Sequence, residues 1–255
     1  MPVASLNSYR TVALRVHSSA FAAQGQAMFL EQQTLDNLRK KCGFERVEAG
    51  GGAADVILDL NITGAGKGGG SWVSSGSSAY VDTLLVLTDG QDGQLLGAAK
   101  IRGKSSGVII NNAPPENEAT GAVAKSVGEL LAKSGCTGPR IAKVVDPGPT
   151  PPPPGDGSAA PQPDESHRPE AEASNDQGKE KLYAADYAGA LAAFEKANSL
   201  VPDAKYQFSI CIVYGVQDQW DTAVAACQKA RGMNPPPALA AKIDRRIELL
   251  QHREK

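Results

Sequence analysis

Residues 11–17, TVALRVH, place Val12, Leu14 and Val16 on one side and Arg15 and His17 on the other. That period of two predicts a strand with one face against a core. Over residues 24–42 the period changes. Met28, Leu35, Leu38 and Cys42 fall on one helical stripe, and Gly43 supplies the stop. Alternation returns in DVILDLNIT, where Val56, Leu58, Leu60 and Ile62 share a side, and again in AYVDTLLVLT and QLLGAAKIR. The last two flank TDGQDG, a hairpin signal, and are expected to pair antiparallel. A helix from about Glu118 to Ser134 then presents Ala119, Val123, Val127, Leu130 and Leu131 and ends at Gly135. Residues 1–145 therefore read as a two-layer α+β domain, an antiparallel sheet covered by two helices.

Patterning stops over residues 146–176. This stretch holds seven acids, the single basic residue Arg168 and nine of the chain's 17 prolines, including the run Pro151 to Pro154. Proline favours extended backbone, the carboxylates repel, and no large apolar residue rewards collapse, so a disordered acidic linker is expected. Residues 1–145 carry 14 basic and 12 acidic side chains and residues 177–255 carry 11 and 9, so both flanking segments are net positive.

From residue 177 onward the chain matches itself at an offset of 33. Tyr187 maps to Trp220, Ala190 to Ala223, Phe194 to Cys227, Ala197 to Ala230 and Pro202 to Pro235. Small alanines let paired helices approach closely, the aromatic residue fills the bend, and proline ends the second helix. In the first unit Gly178, Asp186, Tyr187, Ala190, Leu191, Phe194, Ala197, Leu200 and Pro202 carry the pattern, and in the second Tyr214, Trp220, Ala223, Ala230, Met233 and Pro235. This resembles the tetratricopeptide repeat, with two units over about 171–236, departures at Cys211 and Cys227, and one residue missing between units. Residues 238–251 add an amphipathic helix with Leu239, Ile243, Ile247 and Leu250 on one stripe, read as the cap of the stack.

Tetratricopeptide arrays hold an extended peptide or a partner helix against a concave wall formed by each unit's first helix. The resemblance implies that Lys179, Tyr183, Phe208, Ile212, Val216, Lys242 and Arg246 line such a wall here, apolar with a cationic edge suited to an acidic protein partner. The alternative is that Phe208 and Ile212 are buried between units. Two repeats fall short of the three usually needed to stand alone, so homodimerisation through residues 177–255 is a further expectation.

Candidate chemistry changes this picture little. GAGKGGGS lacks the upstream glycine and the Ser or Thr after Gly66-Lys67 that a phosphate-binding loop needs, and reads as a strand connection. Asp89-Gly90-Gln91-Asp92-Gly93 lacks the ligand spacing of a calcium loop and reads as a turn. His17, His167 and His252 fall in a strand, the linker and the last helical turn. No Ser-His-acid set, H-E-x-x-H or C-x-x-C is present, so no enzyme, metal or cofactor is expected. A net charge of −2 argues against a nucleic-acid binder, and 5% aromatic content leaves few stacking platforms. No apolar run approaches the roughly 20 residues that cross a bilayer, so the chain as written reads as soluble and without an export signal.

Cys42 and Cys136 follow the ends of the two covering helices, and Cys211 and Cys227 lie on one helical pair. Two intradomain disulfides and four buried thiols are both open. Disulfides would imply an oxidising compartment such as the periplasm, whereas a genuine chain start without a leader would imply the cytoplasm. The first domain also loosely resembles modules of bacterial envelope lipoproteins and periplasmic assembly proteins, which favours the envelope. The expectation is a non-catalytic adaptor whose repeat module captures a partner while the first domain docks on an assembly. The alternative is an N-terminal ligand-binding or enzymatic domain with the repeats as its targeting arm.

Overall fold

The computed structural model describes residues 6–19, 24–68, 78–106, 114–137 and 165–252. The chain divides into two compact units, one holding all the strands and the first two helices, the other built from the later helices. The first unit is a five-stranded sheet with α1 (Gln24–Lys41) and α2 (Pro115–Leu131). Its strands are β1 (Thr11–Ser18), β2 (Arg46–Ala49), β3 (Val56–Gly68), β4 (Ser78–Asp89) and β5 (Leu95–Lys104), in the order β2-β1-β3-β4-β5.

The sheet is mixed, which corrects the expected antiparallel one. β1 runs parallel to both β2 and β3, while β3–β4 and β4–β5 are antiparallel. The physical cause is α1, whose 18 residues supply the long crossover that parallel neighbours require. Gly50 at φ 89° then turns the chain after β2, where its N–H donates to Leu14 O. The expected hairpin forms between β4 and β5, closed by Asp89 N donating to Gln94 O, with Gly93 at φ 67°. GAGKG is part of β3 itself, paired as far as Gly68 with Ser78, and not a connection between strands.

The alternating stripes converge on one core. Val12 and Leu14, Val56 to Ile62 at every second position, and Val81, Leu85 and Leu87 meet Leu30, Leu35 and Leu38 of α1 and Val123, Val127 and Leu131 of α2. At about 25 cal/mol per Å2 of apolar surface removed from water, each such side chain contributes roughly 1.5–3 kcal/mol before entropy. Gly103 sets how close α2 comes to β5, because a Cβ there would lie 1.9 Å from Ala119 O. Beyond Leu131 the helix widens into a π turn, Ala132–Cys136, where Gly135 reverses to φ 88° and brings Cys136 to Cys42.

The second unit holds α3 (Arg168–Tyr183), α4 (Tyr187–Leu200), α5 (Ala204–Val216), α6 (Trp220–Gly232) and α7 (Pro237–Gln251). α3 begins inside the stretch assigned to the linker, so residues 168–176 are helical and Glu165–His167 form a 3-10 turn ahead of them; residues 146–164 of that expectation lie outside the described residues. Two features make the helix. Pro169 sits in the first turn, where its missing N–H costs nothing, and Ala171, Ser174, Asn175 and Gly178 form a buried stripe. Acids in this stretch are paired: Glu172 with Lys205 and Glu170 with Lys196.

The 33-residue offset reappears in the backbone. α3 ends at Tyr183 and α5 at Val216, α4 starts at Tyr187 and α6 at Trp220, and α5 starts at Ala204 and α7 at Pro237. The inter-helix turns repeat too, with Ala185 at φ 61° and Asp218 at φ 64°. Asp186 caps α4 by accepting from Gly189 N, which holds its carboxyl below the ordinary range, and Asp203 caps α5 through Lys205 N. Close packing follows from small residues: Ala190, Ala193 and Ala197 of α4 and Ala223, Ala226 and Ala230 of α6 are buried, and the Phe194 ring lies against Gly178.

Candidate functional site

In the first unit several polar groups that reach the interior pair with one another, while the buried Thr34 and Thr83 hydroxyls have no hydrogen-bond partner among the described residues. Tyr9 and Asp89 are both buried, and the Tyr9 hydroxyl donates to Asp89 Oδ2 at 2.9 Å. Burial, reinforced by Asp89, pushes the phenol well above its ordinary range. Asp55 Oδ2 accepts from the backbone N–H of Arg10 and Thr11, and Asp55 N donates to Thr11 Oγ1, a reciprocal clamp at the start of β1. Arg15 grips the buried Asp59 with two bonds of 2.7 and 2.6 Å, and that hydrogen bonding raises the guanidinium pKa further. His17 stands 3.6 Å from the same carboxylate. Asp59 is thus the counter-ion of an arginine. Among the described residues no group of three or more His, Cys, Asp or Glu is placed to hold a metal ion.

In the second unit the residues expected to form an open concave wall mostly do not. Phe208, Ile212 and Val216 are no more than 1% exposed, and Arg246 is 4% exposed. The cause lies in α5, which is apolar around its whole circumference and is buried along nearly all of its length. Arg246 does not extend from an edge; its guanidinium lies against Gly215, where a Cβ would fall 2.6 Å from Nη2. Lys179 pairs with Asp176 at 2.7 Å, Tyr183 is the last residue of α3, and Lys242 is half-buried on α7. These seven do not assemble into one exposed surface.

One open groove of this unit, of about 460 Å3, lies between α4 and α6. Gln207, Ile210 and Tyr214 of α5 contribute to its lining, along with Glu195, Asn198 and Ser199 of α4 and Thr222, Ala225, Ala226 and Lys229 of α6. Their spacing on α5 is i, i+3, i+7, one helical face. Gln207 is 4% exposed, and its Oε1 accepts from Asn198 Nδ2 at 3.3 Å, while Asn198 Oδ1 accepts from Asp203 N. The carbonyl end of Gln207 is therefore occupied from within the unit. Sequence reasoning missed this groove, although a glutamine in an otherwise apolar turn of α5 was the available signal.

Both cysteine pairs are bonded, Cys42 to Cys136 and Cys211 to Cys227, across 94 and 16 residues of chain. Cys136, Cys211 and Cys227 are wholly buried and Cys42 nearly so, which leaves little access for thiol exchange. The second bridge ties α5 to α6.

No family model matches the chain, and no curated protein does. Solved structures similar to part of it include the PelC dodecamer from Paraburkholderia phytofirmans, at 16% identity and TM-score 0.41 over 51% of this chain and 94% of that one. Protein XCC0632 from Xanthomonas campestris is similar at 13% identity and TM-score 0.37 over 52% and 87%. Lipoprotein GNA1162 from Neisseria meningitidis follows at 12% and 0.31 over 47% and 96%. No helix among the described residues is long and apolar enough to cross a membrane.

Proposed function

We propose that this chain is a non-catalytic adaptor, in which the helical unit captures a segment of a partner protein and the sheet-bearing unit docks on a larger assembly. The observation that carries the reading is the groove between α4 and α6, floored by a half-buried tyrosine and a buried carboxamide. Recurrence of helix ends and turns at the 33-residue offset supports assigning α3 to α7 to the tetratricopeptide type, with α7 as cap. On this reading the capture site lies between the second helices of adjacent units and not on the concave wall. Keeping two binding units on one chain raises the effective concentration of one partner near the other. Two buried disulfides support an oxidising compartment, and the bacterial cell envelope is the one we favour.

A photo-crosslinking residue placed at the exposed Ala225 of the full chain, in the cells that make it, tests the capture role. The expected result is a discrete protein adduct, mapped by mass spectrometry to Ala225 and absent when the same residue replaces the exposed Glu129. Equal or absent labelling at the two positions overturns it.

A further inference from the structure

We propose that the Cys42–Cys136 bridge is a one-way latch for the N-terminal arm: residues 6–9 dock on the end of the sheet-bearing unit once these two thiols have been oxidised, and not before. The arm is compact. Leu6 and Tyr9 are both buried, and Tyr9 N donates to Leu6 O to close a turn between them. It is fastened at both ends, because Leu6 N donates to Ser134 O at 2.7 Å and the Tyr9 hydroxyl donates to Asp89. From Arg10 onward the chain is held by other means. Arg10 O accepts from Glu45 N, and the N–H groups of Arg10 and Thr11 donate to Asp55. Arg10 is therefore the hinge of an undocked arm.

The seat of the arm belongs to the segment that the bridge holds. Ser134 lies in the π turn beyond α2, two residues before Cys136 and beside Gly135 with its reversed φ of 88°. The π turn is a rare geometry, and a helix end opens locally unless other contacts tie it down. Here the tie is to the end of α1. It consists of the disulfide and, beside it, Gly43 N donating to Cys136 O at 2.8 Å. Without the covalent bond the turn loosens, the Ser134 carbonyl shifts and Leu6 loses its seat, while the ladders of β3 and β4 stay paired. Leu6, Tyr9, Cys42 and Cys136 share one buried cluster, so docking the arm also covers the bond.

Cys42, 7% exposed, is the more accessible sulfur. Its thiolate attacks an external disulfide and expels one thiolate, and the Cys136 thiolate then attacks the mixed disulfide and expels the other. The protein's two thiols become the bridge, and the oxidant leaves as two thiols. Once the arm has closed, Cys136 is wholly buried and the reverse attack is hindered. The chain entering this unit is thus loose where thiols stay reduced and fixed where they are oxidised. The latch is independent of the adaptor role of the helical unit.

Coupling between arm and bridge is reciprocal, so it is measured from both sides. In hydrogen exchange on the full-length oxidised chain, C42S/C136S should expose the amides of Leu6, Tyr9 and Gly43 at least about tenfold faster than wild type, with β3 and β4 still protected. In the converse experiment, wild type and L6A are equilibrated with dithiothreitol, and free thiols are located by alkylation and mass spectrometry. L6A should raise the equilibrium constant for reducing Cys42–Cys136 about tenfold and leave that of Cys211–Cys227 unchanged. This second measurement decides the matter if the double serine variant fails to fold. Three results overturn the latch: protection of residues 6–9 that survives loss of the bridge, protection lost only together with β3 and β4, or an L6A equilibrium that is unchanged or shifts equally at both bridges.

Discussion

At the scale of single residues, the buried Tyr9–Asp89 pair is a polar contact on which the first unit's interior depends. Asp89 is wholly buried and holds two named donors, the Tyr9 hydroxyl and Gln91 N. Tyr9→Phe leaves that carboxylate short of one donor and should cost about 1–3 kcal/mol in urea unfolding. The same residue sets an alkaline limit. The folded phenol titrates well above 10.0, the ordinary value at which the unfolded chain loses its proton. Between those points the unfolded state releases a proton that the folded state keeps, so stability is full below about pH 10 and declines as pH rises further. Tyr206, raised by burial and then by Glu172, adds a decline of the same sign in the helical unit. Y9F should therefore flatten the alkaline decline of the sheet-bearing unit while leaving the slope below about pH 9 unchanged. An unchanged decline would contradict this assignment.

At the scale of elements, the Cys211–Cys227 bridge joins α5 to α6 across 16 residues of sequence. Restricting a loop of that size in the unfolded chain is worth about 3 kcal/mol in the entropy model. Replacing both cysteines by serine should lower the helical transition by that order in denaturant, followed by circular dichroism. Reductant should then lower the wild type and leave the helical transition of the variant in place. Elements also mark how far the sequence could be read. The stripes of β1, β3 and β4 were plain because period two tied to one buried face leaves little choice of register. Strand direction was not, since alternation fixes a face and says nothing of polarity. β2 escaped because Arg46 to Ala49 is four residues long and mostly exposed, with no stripe to detect. The start of α3 was hidden by its acids and Pro169, whose partners Lys196 and Lys205 lie on later helices. In α5 the apolar pattern ran all round, so it gave no sign that Phe208 and Ile212 face inward, and the polar Gln207 was the informative residue.

At the scale of the whole molecule, the account describes an oxidised two-unit chain whose helical part offers a groove between α4 and α6 to a partner protein. The bridges and the groove are connected, because Cys227 lies on the α6 segment that also carries Ala225, Ala226 and Lys229. Loss of the bridge is thus expected to loosen the wall that the partner touches. The most direct measurement is the affinity of the partner crosslinked at position 225 for wild type and for Ala225→Trp, by calorimetric titration at equal oxidation state. Ala225 is exposed, so a large ring there fills the groove without entering the core. Affinity should fall by more than about tenfold, beyond 1.4 kcal/mol, with the unfolding midpoint unchanged. Undiminished binding by a folded, plugged protein would contradict the claim that this groove is where the partner is held.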